Sequence, residues 1–144
     1  MPDTAYDSLK LENQLCFPLY AASREIIKQY TPFLDKIDLT YTQYIAMMVL
    51  WEKKTVTVRD MGELLYLDSG TLTPLLKKME AKGLLTRSRS EKDERCLNVS
   101  RTEKGEKLRD EALCVPREMA KCSRISPEDA GELHRILQKI LGIS

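Results

Sequence analysis

The stretch at 68–83, Asp-Ser-Gly-Thr-Leu-Thr-Pro-Leu-Leu-Lys-Lys-Met-Glu-Ala-Lys-Gly, constrains the fold more than any other part of the chain. Leu72, Leu75, Leu76 and Met79 recur at the three- and four-residue spacing of one helix face. Asp68 or Ser69 is placed to cap the first turn, where backbone N–H groups lack partners. Proline is cheap in a first turn and costly beyond it, so Pro74 predicts a regular helix starting close to Gly70. Gly83 tolerates positive φ and predicts the end. The other face carries Ser69, Thr71, Thr73, Lys77 and Lys78. Hydroxyls at the N-terminal end and lysines further along suit a helix that enters a DNA groove tip first. Taken alone, the segment suits a surface helix with a solvated lysine pair equally well.

The flanking sequence separates the two. Leu84-Leu85-Thr86-Arg87-Ser88-Arg89 has strand character, residues 90–95 are polar and turn-forming, and Cys96-Leu97-Asn98-Val99-Ser100 alternates as a second strand. A hairpin with a charged tip directly after a helix is the wing of a winged helix-turn-helix. Upstream, Thr57-Val58-Arg59-Asp60 predicts a capped helix through about Leu65, joined to the next by a tight link. Thr55-Val56-Thr57 predicts a short strand added to the wing. Charge supports the assignment. Residues 71–109 hold eleven Lys or Arg against six Asp or Glu, a balance of +5 in a chain whose net charge is +1. Arg87, Arg89, Lys92 and Arg95 place cations on the hairpin, within reach of phosphates or a narrow minor groove. A basic face on an acidic body is the electrostatic footprint of double-stranded DNA as partner.

Around this unit the chain is mainly α with a small β-wing. A helical pattern covers about 8–30, with Leu11, Leu15, Leu19, Ala22 and Ile26 on one stripe and Pro18 expected to bend it or leave a carbonyl free. Tyr30-Thr31-Pro32 predicts its end, and a short helix follows at 32–37. Thr40 or Thr42 caps a helix through about Trp51 that is apolar nearly all round and therefore buried. Thr102 caps another, Val115-Pro116 marks a break, and Ser126-Pro127-Glu128-Asp129 opens a last helix with Leu133, Ile136, Leu137, Ile140 and Leu141. The 144 residues make one domain, with a winged unit at about 55–101 and terminal helices at about 8–30 and 102–144. Those terminal helices carry more apolar surface than one small domain covers, which predicts a homodimer. Two recognition helices ~34–36 Å apart would then read a pseudo-palindromic operator.

No apolar run approaches the roughly 20 residues that span a bilayer, and the N-terminus lacks a signal peptide's blocks, so a cytoplasmic location and no membrane are expected. The four cysteines at 16, 96, 114 and 122 are then reduced thiols by default. They form no CxxC pair and the chain has one histidine, so neither a metal nor any other cofactor is expected.

Leu64 and the run Tyr66-Leu67-Asp68-Ser69-Gly70-Thr71-Leu72-Thr73-Pro74-Leu75-Leu76-Lys77-Lys78, with Asp93-Glu94-Arg95, resemble the MarR family of bacterial winged-helix regulators. Leu11-Glu12-Asn13-Gln14-Leu15-Cys16-Phe17 resembles its organic-hydroperoxide-sensing, OhrR-like branch. The resemblance covers roughly residues 9–116. It implies a DNA-binding repressor dimer in which the arginine at 95 lies near the wing tip and Asp93 helps to hold the wing. It also gives Cys16 a role that burial alone would not, since a packed cysteine is ordinarily an inert hydrophobe. The resemblance makes Cys16 the thiol oxidised by an organic hydroperoxide, hydrogen-bonded by Tyr30 and Tyr41 with Tyr20 beside them. Phenol O–H groups would favour the reactive thiolate. Oxidation to the sulfenic acid would then be resolved by Cys122 or Cys114, or by low-molecular-weight thiols. Cys96, in a wing strand, is read as structural. The rival readings are a repressor answering to a small aromatic ligand, and a thiol peroxidase.

Overall fold

A computed structural model describes residues 4–93 and 95–143, so Met1, Pro2, Asp3, Ser144 and the Glu94 of the wing-tip motif lie outside the described residues. Two short 3-10 turns at Thr4–Leu9 and Leu11–Asn13 precede α1, Cys16–Asp35. The helix expected over about 8–30 is therefore displaced. Pro18 falls in the first turn, where no intrahelical N–H is needed, and gives no mid-helix break. Pro32 does not end the helix either. An interior proline costs ~3 kcal/mol. Against that cost, the turn containing it buries Leu34, at 2% exposure, and packs Phe33 against the core. Tertiary burial outweighs the local preference.

The molecule is built around α2, Tyr41–Lys53. Thr40 opens it with a reciprocal cap: its hydroxyl accepts the Gln43 N–H at 3.3 Å, and the Gln43 side chain accepts the Thr40 N–H at 3.1 Å. Tyr44, Ala46, Met47, Val49, Leu50 and Trp51 are all buried, as its near-uniform apolarity predicts. The helix-turn-helix packs on this core. Thr57 caps α3, Val58–Leu65, by accepting the Asp60 N–H. Tyr66 turns the chain in the left-handed region at φ 57, and Asp68 caps α4, Ser69–Ala81. Leu72, Leu75, Leu76 and Met79 point into the core. Gly83, at φ 79, closes α4: its N–H reaches the Glu80 carbonyl and the Leu84 N–H reaches that of Met79.

The wing is an antiparallel sheet of three strands among the described residues, in the order β1 (Thr55–Thr57), β3 (Leu97–Arg101), β2 (Leu85–Arg89). Val56 and Val99 face each other in register, both buried. Thr102 then caps α5, Glu103–Ala112, and a break at Leu113 separates it from α6, Cys114–Lys121, which packs on α1. The N-terminal turn of α5 approaches the link between α4 and β2 so closely that a Cβ on Gly105 would sit 2.3 Å from the Leu84 carbonyl oxygen. Trp51 clamps the same turn, donating Nε1–H to the Gly105 carbonyl at 2.8 Å. Ser126 caps α7, Pro127–Ile140, which buries none of its residues in the protomer. Leu133, Ile136, Ile140 and Leu141 on and just after α7, and Leu19, Ile26 and Ile27 on α1, remain exposed. No helix among the described residues is long and apolar enough to cross a membrane.

Candidate nucleic-acid interface and thiol site

One edge of the molecule gathers the polar N-terminal end of α4 and the wing. Ser69, Thr71, Lys77 and Lys78 are exposed, and Thr73 is half-buried. The Asp68 carboxylate accepts the Thr71 N–H at 2.7 Å, which holds its pKa below the usual carboxylate value and keeps the cap ionised. A cleft of about 910 Å³ separates this end from the wing tip. Arg59, Tyr66, Ser69, Asp93 and Arg95 line it. Arg59 and Tyr66 were not singled out from the sequence. Arg59 read as part of a helix start, whereas its side chain is 87% exposed; Tyr66 is an exposed aromatic in a left-handed turn, a placement only the link geometry reveals.

The wing cations divide. Arg89, Lys92 and Arg95 are exposed. The Asp93 carboxylate accepts the Arg95 N–H at 2.9 Å and lies 3.7 Å from the Cys96 sulfur, closing the turn on which Arg95 is carried. Arg87, grouped with these cations in the sequence, instead turns back onto α4. Its guanidinium meets the Glu80 carboxylate at 3.2 Å, and its backbone N–H donates to the other Glu80 oxygen at 2.9 Å. Those bonds hold the Glu80 pKa down. Arg87 is only 20% exposed and ties the wing to the recognition helix.

The second group of residues lies on α1, α2 and α6. Tyr30, Tyr41 and Tyr44 form a tilted ring cluster, with centroids 5.2 Å (Tyr30–Tyr41) and 5.9 Å (Tyr30–Tyr44) apart, and Tyr44 meets Trp51 edge-on. Burial, then the neighbouring Tyr30, raises the Tyr41 and Tyr44 pKa values, so both phenols remain O–H donors at neutral pH. Cys16, exposed, is the first residue of α1. Tyr30 is fourteen positions further along that helix, about 21 Å at ~1.5 Å per residue. One protomer therefore does not bring Cys16 to Tyr30 and Tyr41. Tyr20, one turn from Cys16, accepts a hydrogen bond from Arg24 at 2.7 Å. Cys114 is half-buried beside Tyr44, its thiol donating to the Glu111 carbonyl at 3.2 Å; Cys122 is exposed at the C-cap of α6. Among the described residues no three acidic, histidine or cysteine side chains are grouped to hold a metal.

Residues 28–112 match the family model described as transcriptional regulator SarA/Rot. The chain is 53% identical to the organic hydroperoxide resistance transcriptional regulator of Bacillus subtilis, over 96% of this chain and 95% of that one. The chain belongs to the MarR family of winged-helix transcriptional regulators. It is a DNA-binding regulator of the organic-hydroperoxide branch. The fold agrees: overoxidised AbfR bound to DNA superposes with a TM-score of 0.77 at 31% identity, covering 96% of this chain and 97% of that one. A disulfide-formed AbfR superposes at 0.65 and 31% identity, covering 98% and 99%. AbfR is a protein of Staphylococcus epidermidis.

Proposed function

We propose that the protein is a homodimeric transcriptional repressor that senses organic hydroperoxides by oxidation of Cys16 and then releases its operator. The observation that carries this is the likeness to an organic hydroperoxide resistance regulator along nearly the whole chain, with an exposed thiol at the start of α1. The uncovered apolar faces of α1 and α7 support the dimer. If two α1 helices pair antiparallel about a two-fold axis, Cys16 of one protomer lies against Tyr30 and Tyr41 of the partner subunit, the meeting that α1's length forbids within a chain. Phenol donors would stabilise the thiolate there.

The thiolate attacks the distal peroxide oxygen, the O–O bond breaks, and the departing alkoxide takes up a proton to leave as an alcohol. Cys16 is left as a sulfenic acid. A second thiol then attacks its sulfur and water leaves, giving a disulfide. Cys122 is the first candidate, because it is exposed at a helix end, whereas Cys114 is packed and hydrogen-bonded. On DNA, Ser69, Thr71 and Thr73 face bases or phosphates, and Lys77, Lys78, Arg89, Lys92 and Arg95 contact phosphates or the minor groove, with Asp93 fixing the wing turn. The peroxide is a signal that changes DNA affinity, not a substrate turned over.

Non-reducing peptide mapping after one equivalent of an organic hydroperoxide tests the chemistry. A Cys16–Cys122 link between protomers is expected. A Cys16–Cys114 link would move the resolving role, adducts with added small thiols alone would remove it from this chain, and an unmodified Cys16 would end the proposal.

A further inference from the structure

Polar contacts between α4 and the α1–α2 corner converge on one residue. Lys82 is the C-cap of α4. Its ammonium group donates to the Asp38 carbonyl at 2.7 Å and to the Gln43 side-chain oxygen at 3.1 Å, and it lies 3.7 Å from the Asp38 carboxylate. The carboxylate is 91% exposed and screened by water, so the two shorter bonds carry the contact. Gln43 is the one polar residue buried among the described residues, at 4% exposure. The same Gln43 oxygen accepts the Thr40 N–H that caps α2. One buried amide thus joins the start of α2 to the end of α4, at a corner where Asp38 is held in the left-handed region at φ 53.

The backbone of Lys82 faces the other way. Its carbonyl accepts from the Lys104 ammonium group of α5 at 2.6 Å, and the neighbouring Gly83 carbonyl accepts from the Thr102 hydroxyl, also at 2.6 Å. The end of α4 is therefore gripped from α1–α2 on one side and from α5 on the other. The rest of α4 meets the core through Leu72, Leu75, Leu76 and Met79, apolar contacts that resist separation but have little direction. Hydrogen bonds to a buried, doubly used oxygen do have direction.

We propose that Lys82 is the positioning residue that transmits movement of the α1–α2 corner to the recognition helix. This rests on the sensing role proposed above for what moves the corner. At ~1.5 Å per residue α4 is about 20 Å long, so a tilt of ~5° about its Lys82 end shifts the Ser69 tip by about 1.7 Å. That displacement is enough to break hydrogen bonds to DNA at the far end.

The test uses the full-length protein, its operator, and Lys82→Met, which keeps the aliphatic stem, beside Lys82→Arg, which restores a donor. Thermal melts confirm that each variant folds. Oxidation of the wild type should weaken operator binding by about tenfold or more, within the usual range of coupling between sites. In Lys82→Met that ratio should shrink at least about threefold while the reduced protein keeps its operator affinity, and Lys82→Arg should recover most of it. An unchanged ratio in Lys82→Met overturns the proposal. If the wild type shows no oxidative loss, the sensing role fails, and a second readout decides Lys82 without it. Ile37→Ala disturbs the corner's packing without touching Lys82, and its effect on operator affinity is measured with and without Lys82→Met. Non-additive effects support transmission through Lys82; additive effects overturn it.

Discussion

The two classes of wing arginine make opposite predictions for salt dependence. Each phosphate contact to B-DNA contributes about −0.9 to the slope of log affinity against log salt. Arg95 is exposed on a turn held by Asp93, and a dimer presents two such turns. Arg95→Ala should therefore flatten the slope by about 1.8, so that raising salt from ~50 to ~200 mM costs the variant about twelvefold less affinity than it costs the wild type. Arg87 already has its carboxylate at 3.2 Å. The charge-neutral pair Glu80→Gln with Arg87→Gln leaves net charge unchanged and should leave the slope unchanged, while lowering the melting temperature because the tie between β2 and α4 is lost. Fluorescence anisotropy with a labelled operator at four salt concentrations measures both. A double variant as flat as Arg95→Ala would show that Arg87 leaves Glu80 to reach DNA, and would refute the division of the wing cations.

Two further outcomes follow from packing and titration. Gly105→Ala drives a methyl into the Leu84 carbonyl and against Met47, an overpacking cost of about 1–3 kcal/mol or more, and should lower the melting temperature by about 5 °C; an unchanged melt would mean that α5 approaches Leu84 less tightly. Burial raises the Tyr41 pKa above the usual phenol value. A raised folded-state value is stability that is present below pH ~10 and lost as pH rises through and beyond it. Urea midpoints between pH 8 and 11 should therefore fall less steeply in Tyr41→Phe than in the wild type, and an equally steep fall would deny the burial effect.

The recognition helix and wing were legible because local signals and burial agree there. The apolar stripe of α4, the Asp68 cap, the Gly83 stop and the alternating wing strands each point to the element that forms. Pro18 and Pro32 misled because their effect depends on position. Pro18 moved into the first turn when the chain from Thr4 to Asn13 took 3-10 turns, and the burial of Leu34 overrode Pro32. The charge of Arg87 was legible but its partner was not, since Glu80 is seven residues away across a helix end and a strand start. Sequence could list Cys16, Tyr30 and Tyr41 but not their separation, which only the unbroken length of α1 fixes. The joint at Lys82 was invisible because its partners, Asp38 and Gln43, are about forty positions away.

Operator binding before and after an organic hydroperoxide, in wild type, Cys16→Ser and Cys96→Ser, tests the central claim most directly. The wild type and Cys96→Ser should bind when reduced and lose about tenfold or more in affinity when oxidised. Cys16→Ser should bind and hold on through the same treatment. If Cys16→Ser lets go of its operator to the same extent, Cys16 is not the sensor, and the winged DNA-binding face stands without the redox mechanism.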